Sequence, residues 1–297
     1  MFTVVIPTLD RPSYLVRAIR SVLAQEVRGV EIIVVDDCSA ESYDEILSEF
    51  ETEVIYIRHA STQGVSNTRN TGLLAAKNEW VAFLDDDDEF RPGYLEYMAS
   101  NIEASSYSNT FFWCGVEFVQ SNINADQRRL YRTYPDVYES SFEATRDALS
   151  IGASFGFLIR RDDLIAAGMF NHSYKVAEDT ELMVRLLSRG MNPVSVSFIG
   201  IVKYEDHISR LASSFEIYSD LNVYERIFME HSHFFSSNPL QYCIMMRWAL
   251  RLHIEFSNYP SAKGILWSMF KLGFFHDYLS GSVKLYKKRM VGLLVKA

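Results

Sequence analysis

The first hundred residues alternate short, uniformly apolar runs with longer amphipathic ones. Residues 2–6, FTVVI, are apolar, rich in β-branched side chains and closed by Pro7, which predicts a strand. Residues 11–25 then place Leu15, Ile19, Val22 and Leu23 at helical spacing. The alternation repeats: residues 30–35 run into Asp36-Asp37-Cys38-Ser39 and a helix through Ile46, Leu47 and Phe50. Residues 54–57 run into a turn containing Gly64, a helix follows over residues 66–77, and WVAFL at residues 80–84 forms a fourth strand. Strands and helices alternating at this pace predict an α/β fold, a mostly parallel sheet with helices on both faces. In such a sheet the ligand crevice lies beyond the carboxyl ends of the strands.

That rule gathers polar residues far apart in the chain. Thr8, Asp37 and the run Asp85, Asp86, Asp87, Asp88 all follow strands, and the helix after Gly64 adds Arg69 and Asn70. Four adjacent carboxylates repel one another unless they splay into water or hold a divalent cation between their oxygens. No GxGxxG follows the first strand, so the crevice does not suit a dinucleotide held on a glycine loop. It suits a nucleotide whose phosphates are neutralised by a metal. Arg69 can pair with phosphate there, or hold Asp85 or Asp86 in an ion pair. Farther on, Glu178 and Asp179 precede a helical run through Leu182, Val184, Leu186 and Leu187 that ends at Gly190. At an exposed helix N-terminus such acids are worth under about 1 kcal/mol each.

After residue 214 the alternation stops, and residues 215–230, 239–256 and 261–275 read as successive helices with Pro239 and Pro260 near their starts. Charge divides the chain in the same place. The net charge of -9 argues against a general nucleic-acid binder, yet residues 261–297 hold seven Lys or Arg against Asp277 alone. That tail carries +6 and the remainder -15. With Trp267, Phe270, Phe274, Phe275, Tyr278 and Tyr286 it fits an anionic membrane surface or a lipid-linked acceptor; the same composition also suits a packing helix with a solvated basic face. No apolar run approaches the roughly 18 to 20 residues of a membrane span, so the expected contact is peripheral. The N-terminus lacks the basic n-region of a signal peptide. Cys38, Cys114 and Cys243, widely spaced and without a CxxC pair, read as reduced thiols of a cytoplasmic protein rather than a zinc site.

The segments VVIPTLDR, VVDDCS, GVSNTRNTGLLAA and WVAFLDDDDEFRP, in this order, resemble the N-terminal half of the family 2 glycosyltransferases, which have the GT-A fold. LIRRDDL with AAGMF, VAEDTELMVRLLSRG and KYEDHISR are similar to later motifs of that family, so the resemblance spans about residues 1–210. It implies a catalytic domain over residues 1–214, with a nucleotide-binding half (1–100) and an acceptor-binding half (101–214), followed by a helical region over 215–297. The donor implied is a nucleotide-diphosphate sugar, with UDP as the favoured nucleotide, and the acceptor a saccharide or lipid-linked saccharide. The cofactor implied is Mn²⁺ or Mg²⁺.

The roles follow position by position. The resemblance places Thr8 and Asp37 on the base and Arg69 at or behind the phosphates. Asp87 matches the direct metal ligand, Asp85 reaches ribose or sugar through the metal shell, and Asp86 is the close rival, because this chain has Asp86 where the family often has a small residue. Gln63 likewise replaces a frequent Asn. Asp179 matches the base that deprotonates the acceptor, with Glu178 as its positioning partner. His207 matches a residue completing the metal-diphosphate site, and Ser209 and Arg210 close over the phosphates. One displacement inverts the anomeric centre. Two other readings stay open: a nucleotide-sugar-binding module without turnover, against which Asp179 speaks, and a phosphotransferase, which would need its acid in Pro7-Thr8-Leu9-Asp10.

Overall fold

Strand β1 (Phe2–Thr8) is buried along its whole length. β2 (Glu31–Asp36) and β4 (Trp80–Phe83) pair with it in parallel on either side, and β3 (Val54–Arg58) pairs in parallel with β2 at the sheet edge. Every residue of β4 is buried too, as expected of strands covered on both faces. These coordinates are a computed structural model that describes residues 2–103, 109–121, 127–204 and 220–294. The chain divides into two compact units, Met1–Ser209 and Arg210–Ala297. The expected boundary at residue 214 falls outside the described residues.

The first four strands and their helices follow the apolar pattern closely. Helix α1 (Pro12–Leu23) opens on Pro12, whose missing N–H is no loss in a first turn, and buries Leu15, Ala18, Ile19 and Val22. The helix expected through Ile46 shrinks to α2 (Asp44–Leu47) and a 3-10 turn (Ser48–Phe50), with Leu47 and Phe50 still buried. Helix α3 (Val65–Ala75) buries polar residues, among them Arg69 and Asn70. It lies so close to β1 that a Cβ on Gly72 would meet Val5 Cγ1 at 2.3 Å.

Beyond β4 the sheet is mixed rather than parallel. It runs β3-β2-β1-β4-β8-β6-β9-β5 with β7 beside β6, where β5 is Glu89–Phe90, β6 Thr110–Ser121, β7 Gln127–Arg132, β8 Leu158–Arg160 and β9 Asn192–Tyr204. β8 is antiparallel to β4 and β6, β9 is parallel to β6, and β5 is antiparallel to β9. Helices α4 (Tyr94–Glu103), α5 (Ser141–Ala148), α6 (Arg161–Ala167) and α7 (Glu178–Ser188) complete this unit among the described residues. Between Cys114 and Val116 the partner residue on β9 advances from Val196 to Ile201, an irregularity centred on Gly115. β9 is thereby re-aimed, and its pairing of Val202 with Glu89 brings Lys203 beside the aspartate turn.

The described part of the second unit is helical: α8 (Val223–Glu230), α9 (Ser232–Ser237), α10 (Pro239–Glu255), α11 (Tyr259–Lys271) and α12 (Phe275–Leu294). Met246, Ala249, Leu250, Ile265, Leu266 and Met269 form its core. The helix expected over residues 261–275 stops at Lys271, because Gly273 takes φ +83, a left-handed conformation that ends one helix and frees the next to start. Among the described residues no helix is long and apolar enough to cross a membrane.

Candidate active site

The ladder of β4 continues one residue past the strand, with Leu84 N–H donating to Val5 O at 3.1 Å, and the chain then turns. Asp88 N–H closes the turn on Asp85 O at 3.1 Å, and the four aspartate side chains fan out from it. Asp86 points back to β1, where Thr8 Oγ1 donates to its Oδ2 at 2.7 Å. Arg11, just beyond β1, donates to Asp86 Oδ1 at 3.2 Å and to Asp87 Oδ2 at 2.9 Å. Arg17 donates to the Asp87 carbonyl at 2.7 Å. Asp85 faces the other way, taking Arg69 Nη2 on Oδ1 at 3.0 Å, with Lys203 Nζ 3.6 Å from Oδ2. Asp88 accepts a hydrogen bond from Lys203, whose ammonium also donates to Ser154 Oγ at 2.6 Å.

The repulsion inherent in four adjacent carboxylates is thus met largely by the protein's own cations. Burial raises the Asp85 carboxyl, but Lys203 and Arg69 more than reverse this and hold it well below the usual carboxylate range. At Asp86 burial wins over Arg11 and Thr8 and pushes the carboxyl up to about 7; at Asp88 burial wins over Lys203, also to about 7. A carboxylate oxygen from each of Asp85, Asp87 and Asp88 lies within 4.8 Å of the others. Three hard oxygen donors so converged fit Mg²⁺ or Mn²⁺. Asp86, committed to Thr8 and Arg11, stands apart from that trio.

Asp37 lies past β2, its N–H donating to Thr8 O at 2.9 Å. Its carboxylate binds the loop between β3 and α3: Gln63 N–H donates to Oδ1 at 2.9 Å and Gly64 N–H to Oδ2 at 2.8 Å. His59 Nδ1–H adds a third bond to Oδ1 at 2.8 Å, and His59 Nε2 lies 2.9 Å from Thr71 Oγ1. Asp36, the other acid of the pair, closes its own turn by accepting from Ser39 N–H at 2.8 Å. Thr8 and Asp37 therefore lie together at the carboxyl ends of β1 and β2, with Asp37 fixing the backbone there.

Arg69 links the aspartate turn to the second acidic pair. Its Nη1 donates to Glu178 Oε1 at 2.8 Å while Nη2 holds Asp85. The guanidinium is buried, and although burial opposes its charge, Asp85 and Glu178 raise its pKa above the ordinary arginine value. Its neighbour Asn70 brackets Phe170, donating to Phe170 O at 2.8 Å and accepting from Phe170 N–H at 2.9 Å. That bracket fixes the segment leading to α7. Ala177 then takes φ +56, a strained value for a residue with a side chain, and turns the chain so that α7 begins with Glu178 and Asp179. Burial, reinforced by the charge of Glu178, drives the Asp179 carboxyl well above the usual range against the pull of Arg69. Gly152 lies against this carboxylate: a Cβ there would come 3.1 Å from Asp179 Oδ2.

Thr8, Asp37, Arg69, Asp85, Asp86, Asp87 and Glu178 are thus joined by direct bonds or shared partners, and Asp179 follows Glu178 at the start of α7. His207 and Arg210 lie outside the described residues. Arg11, His59, Ser154 and Lys203 enter the site without having been singled out in the sequence. Arg11 could have been, since it follows the first strand as Thr8 does. Lys203 carries no local signal; only the β5-β9 pairing brings it in.

Residues 3–167, more than half of the chain, match the family described as "Glycosyl transferase family 2". The chain belongs to that family. This family 2 glycosyltransferase is 28% identical over 189 residues to an uncharacterized glycosyltransferase of Haemophilus influenzae, a match covering 63% of this chain and 62% of the relative. It is 31% identical over 119 residues to the GalNAc(5)-diNAcBac-PP-undecaprenol beta-1,3-glucosyltransferase of Campylobacter jejuni, covering 39% of this chain and 38% of that protein. The chain therefore spans less than two thirds of either curated relative. Among solved structures it shares its fold with S. aureus TarS 1-349 in complex with UDP-GlcNAc, at TM-score 0.63 and 18% identity, over 86% of this chain and 73% of that one. The GT-A fold expected from the motifs is the fold observed.

Proposed function

We propose that this enzyme is a metal-dependent, inverting glycosyltransferase that moves a sugar from a UDP-linked donor to a hydroxyl of a saccharide or lipid-linked saccharide, in the synthesis of a cell-surface polysaccharide or glycolipid. The observation that carries this reading is Arg69, whose guanidinium ties Asp85 to Glu178, next to Asp179. One buried cation joins a carboxylate cluster fit for a diphosphate's metal to Glu178, the neighbour in sequence of the carboxylate fit for proton removal. Asp179, with a proton affinity raised by burial, takes the proton from the acceptor hydroxyl as that oxygen attacks the anomeric carbon. Glu178, held by Arg69, positions it. A bound Mn²⁺ or Mg²⁺, held by Asp87 with Asp85 and Asp88, would supply charge stabilisation to the departing diphosphate. A single displacement inverts the centre.

Thr8 and Asp37 border the place for the base, with Asp86 behind Thr8. His207 and Arg210 keep the phosphate-side roles that KYEDHISR implies. The donor assignment is supported by the fold shared with a protein solved with UDP-GlcNAc. The lipid-linked acceptor is supported by the undecaprenol-linked saccharide in the name of the Campylobacter relative. The described helices α11 and α12 expose Trp267, Phe270, Leu279, Val283 and Tyr286 next to Lys263 and Lys271. A groove of about 320 Å³ opens between Trp267, Tyr278 and Tyr286. This basic, aromatic face supports peripheral contact with the cytoplasmic surface of a membrane.

The deciding experiment is Asp179→Asn, assayed for transfer and for binding of a UDP-sugar with Mn²⁺. Transfer is abolished and binding persists; a folded variant that no longer binds the donor would refute the base assignment. Transfer that survives thorough chelation removes the metal from the reaction.

A further inference from the structure

Lys203 occupies an unusual position. It is the penultimate residue of β9, partly buried with its ammonium against Asp88, 2.6 Å from Ser154 Oγ and 3.6 Å from Asp85 Oδ2. Its stem lies by Phe155, with the ammonium 5.6 Å from the ring centroid. Asp85 thus has Arg69 on one oxygen and Lys203 beside the other, and Asp88 is held by Lys203. These are two of the three carboxylates whose oxygens converge within 4.8 Å. A divalent cation needs oxygens at roughly 2.0 to 2.2 Å and a share of the charge that the ammonium now neutralises.

We propose that Lys203 is a resident counter-ion that competes with the divalent metal for Asp85 and Asp88 and is drawn off them by the diphosphate of the donor. The inference rests on the metal-dependent reading above. With the nucleotide absent, the ammonium holds the two carboxylates and the site binds metal weakly. When a diphosphate arrives, its oxygens offer Lys203 an alternative anionic partner at the same crevice, and the carboxylates become available to the metal. Metal and nucleotide therefore bind with positive coupling, and by linkage each raises the affinity of the other by the same factor. Ser154 anchors the ammonium in its resting position. Its loop also places Gly152 against Asp179, so the segment that holds the counter-ion also abuts the proton acceptor.

The test is Mn²⁺ binding to the full chain, followed by the electron paramagnetic resonance signal of free Mn²⁺, with and without UDP. Lys203→Met removes the charge and keeps the stem. Without UDP it binds Mn²⁺ at least tenfold more tightly than the unsubstituted protein, and the gain in Mn²⁺ affinity on adding UDP shrinks by a similar factor. Ser154→Ala keeps the charge but loosens its anchor, and tightens nucleotide-free Mn²⁺ binding about threefold. This second variant carries the test should Lys203→Met fail to fold. Folded variants whose nucleotide-free Mn²⁺ affinity is unchanged or weaker overturn the counter-ion role while leaving metal dependence intact. Absence of Mn²⁺ binding by every protein, with or without UDP, overturns both.

Discussion

Arg69 and Glu178, 109 residues apart in the chain, meet at 2.8 Å. The same guanidinium reaches Asp85 at 3.0 Å, so the α3 helix spans the distance between the carboxylates proposed to serve the leaving group and Glu178, proposed to position the base Asp179. A planar fork can hold two carboxylates in a fixed mutual geometry; an ammonium on a flexible stem cannot.

Arg69→Lys is accordingly expected to lower kcat at least tenfold with a smaller change in stability. Arg69→Ala takes the guanidinium from Glu178 and leaves Asp85 with Lys203, and because both carboxylates are only partly buried it is expected to destabilise by about 1–3 kcal/mol. Steady-state transfer kinetics and urea denaturation of both variants check this; a Lys variant with unaltered kcat removes the bridging role.

The pH dependence of transfer follows from Asp179. Burial and Glu178 raise its proton affinity in the folded enzyme, so a base that must be deprotonated is lost as pH falls through a value above the ordinary carboxylate range. The profile of kcat/KM is expected to fall on its acid side at a pH clearly above 5. A plateau extending down to pH 4 contradicts the assignment.

Asp86 gives a stability prediction of definite sign. Its folded-state value, about 7, stands above the unfolded 3.8, so its contribution is fully present below about pH 4 and is lost as pH rises through 7. In chelator, Asp86→Asn is therefore expected to gain on the unsubstituted protein between pH 5 and pH 8, by roughly 2–4 kcal/mol if the full shift is expressed. Denaturant titrations at the two pH values measure the difference; a constant difference rejects it.

Gly72 holds α3 against β1, where an added methyl would lie 2.3 Å from Val5 Cγ1. Gly72→Ala is expected to destabilise by about 1–3 kcal/mol, the range for overpacking, although alanine is the better helix former. Because Arg69 sits one turn earlier on α3, transfer is expected to fall as well. Thermal melts and kinetics of the variant provide the check.

The basic, aromatic face of α11 and α12 predicts binding of the full chain to anionic liposomes at low salt, weakened by added salt and by Trp267→Ala with Phe270→Ala. Cosedimentation with phosphatidylglycerol vesicles measures it. Equal recovery with neutral vesicles, or no binding at all, ends the membrane reading.

The legible part of the molecule is the part governed by local period. Residues 2–6 and 80–84 are too short, too apolar and too rich in β-branched or aromatic side chains for anything but buried strands, and Leu15, Ile19 and Val22 repeat at helical spacing. From that alternation alone, Thr8, Asp37 and the four aspartates belong at one edge of a sheet, and there they lie. The mixed second half was hidden because β8 has only three residues and β6 and β9 pair across an irregularity, features that leave no clean period of two.

Which cation answers each carboxylate was settled only by tertiary structure. The sequence determined that four adjacent charges would stand at the end of a parallel strand and would need neutralising. Arg11 at a separation of 75 residues, Arg69 at 16 and Lys203 at 115 reach them through strand pairing, the close approach at Gly72 and the register slip at Gly115. Electrostatic pairing depends on distance and burial in three dimensions, and neither is encoded by the spacing of charges along the chain.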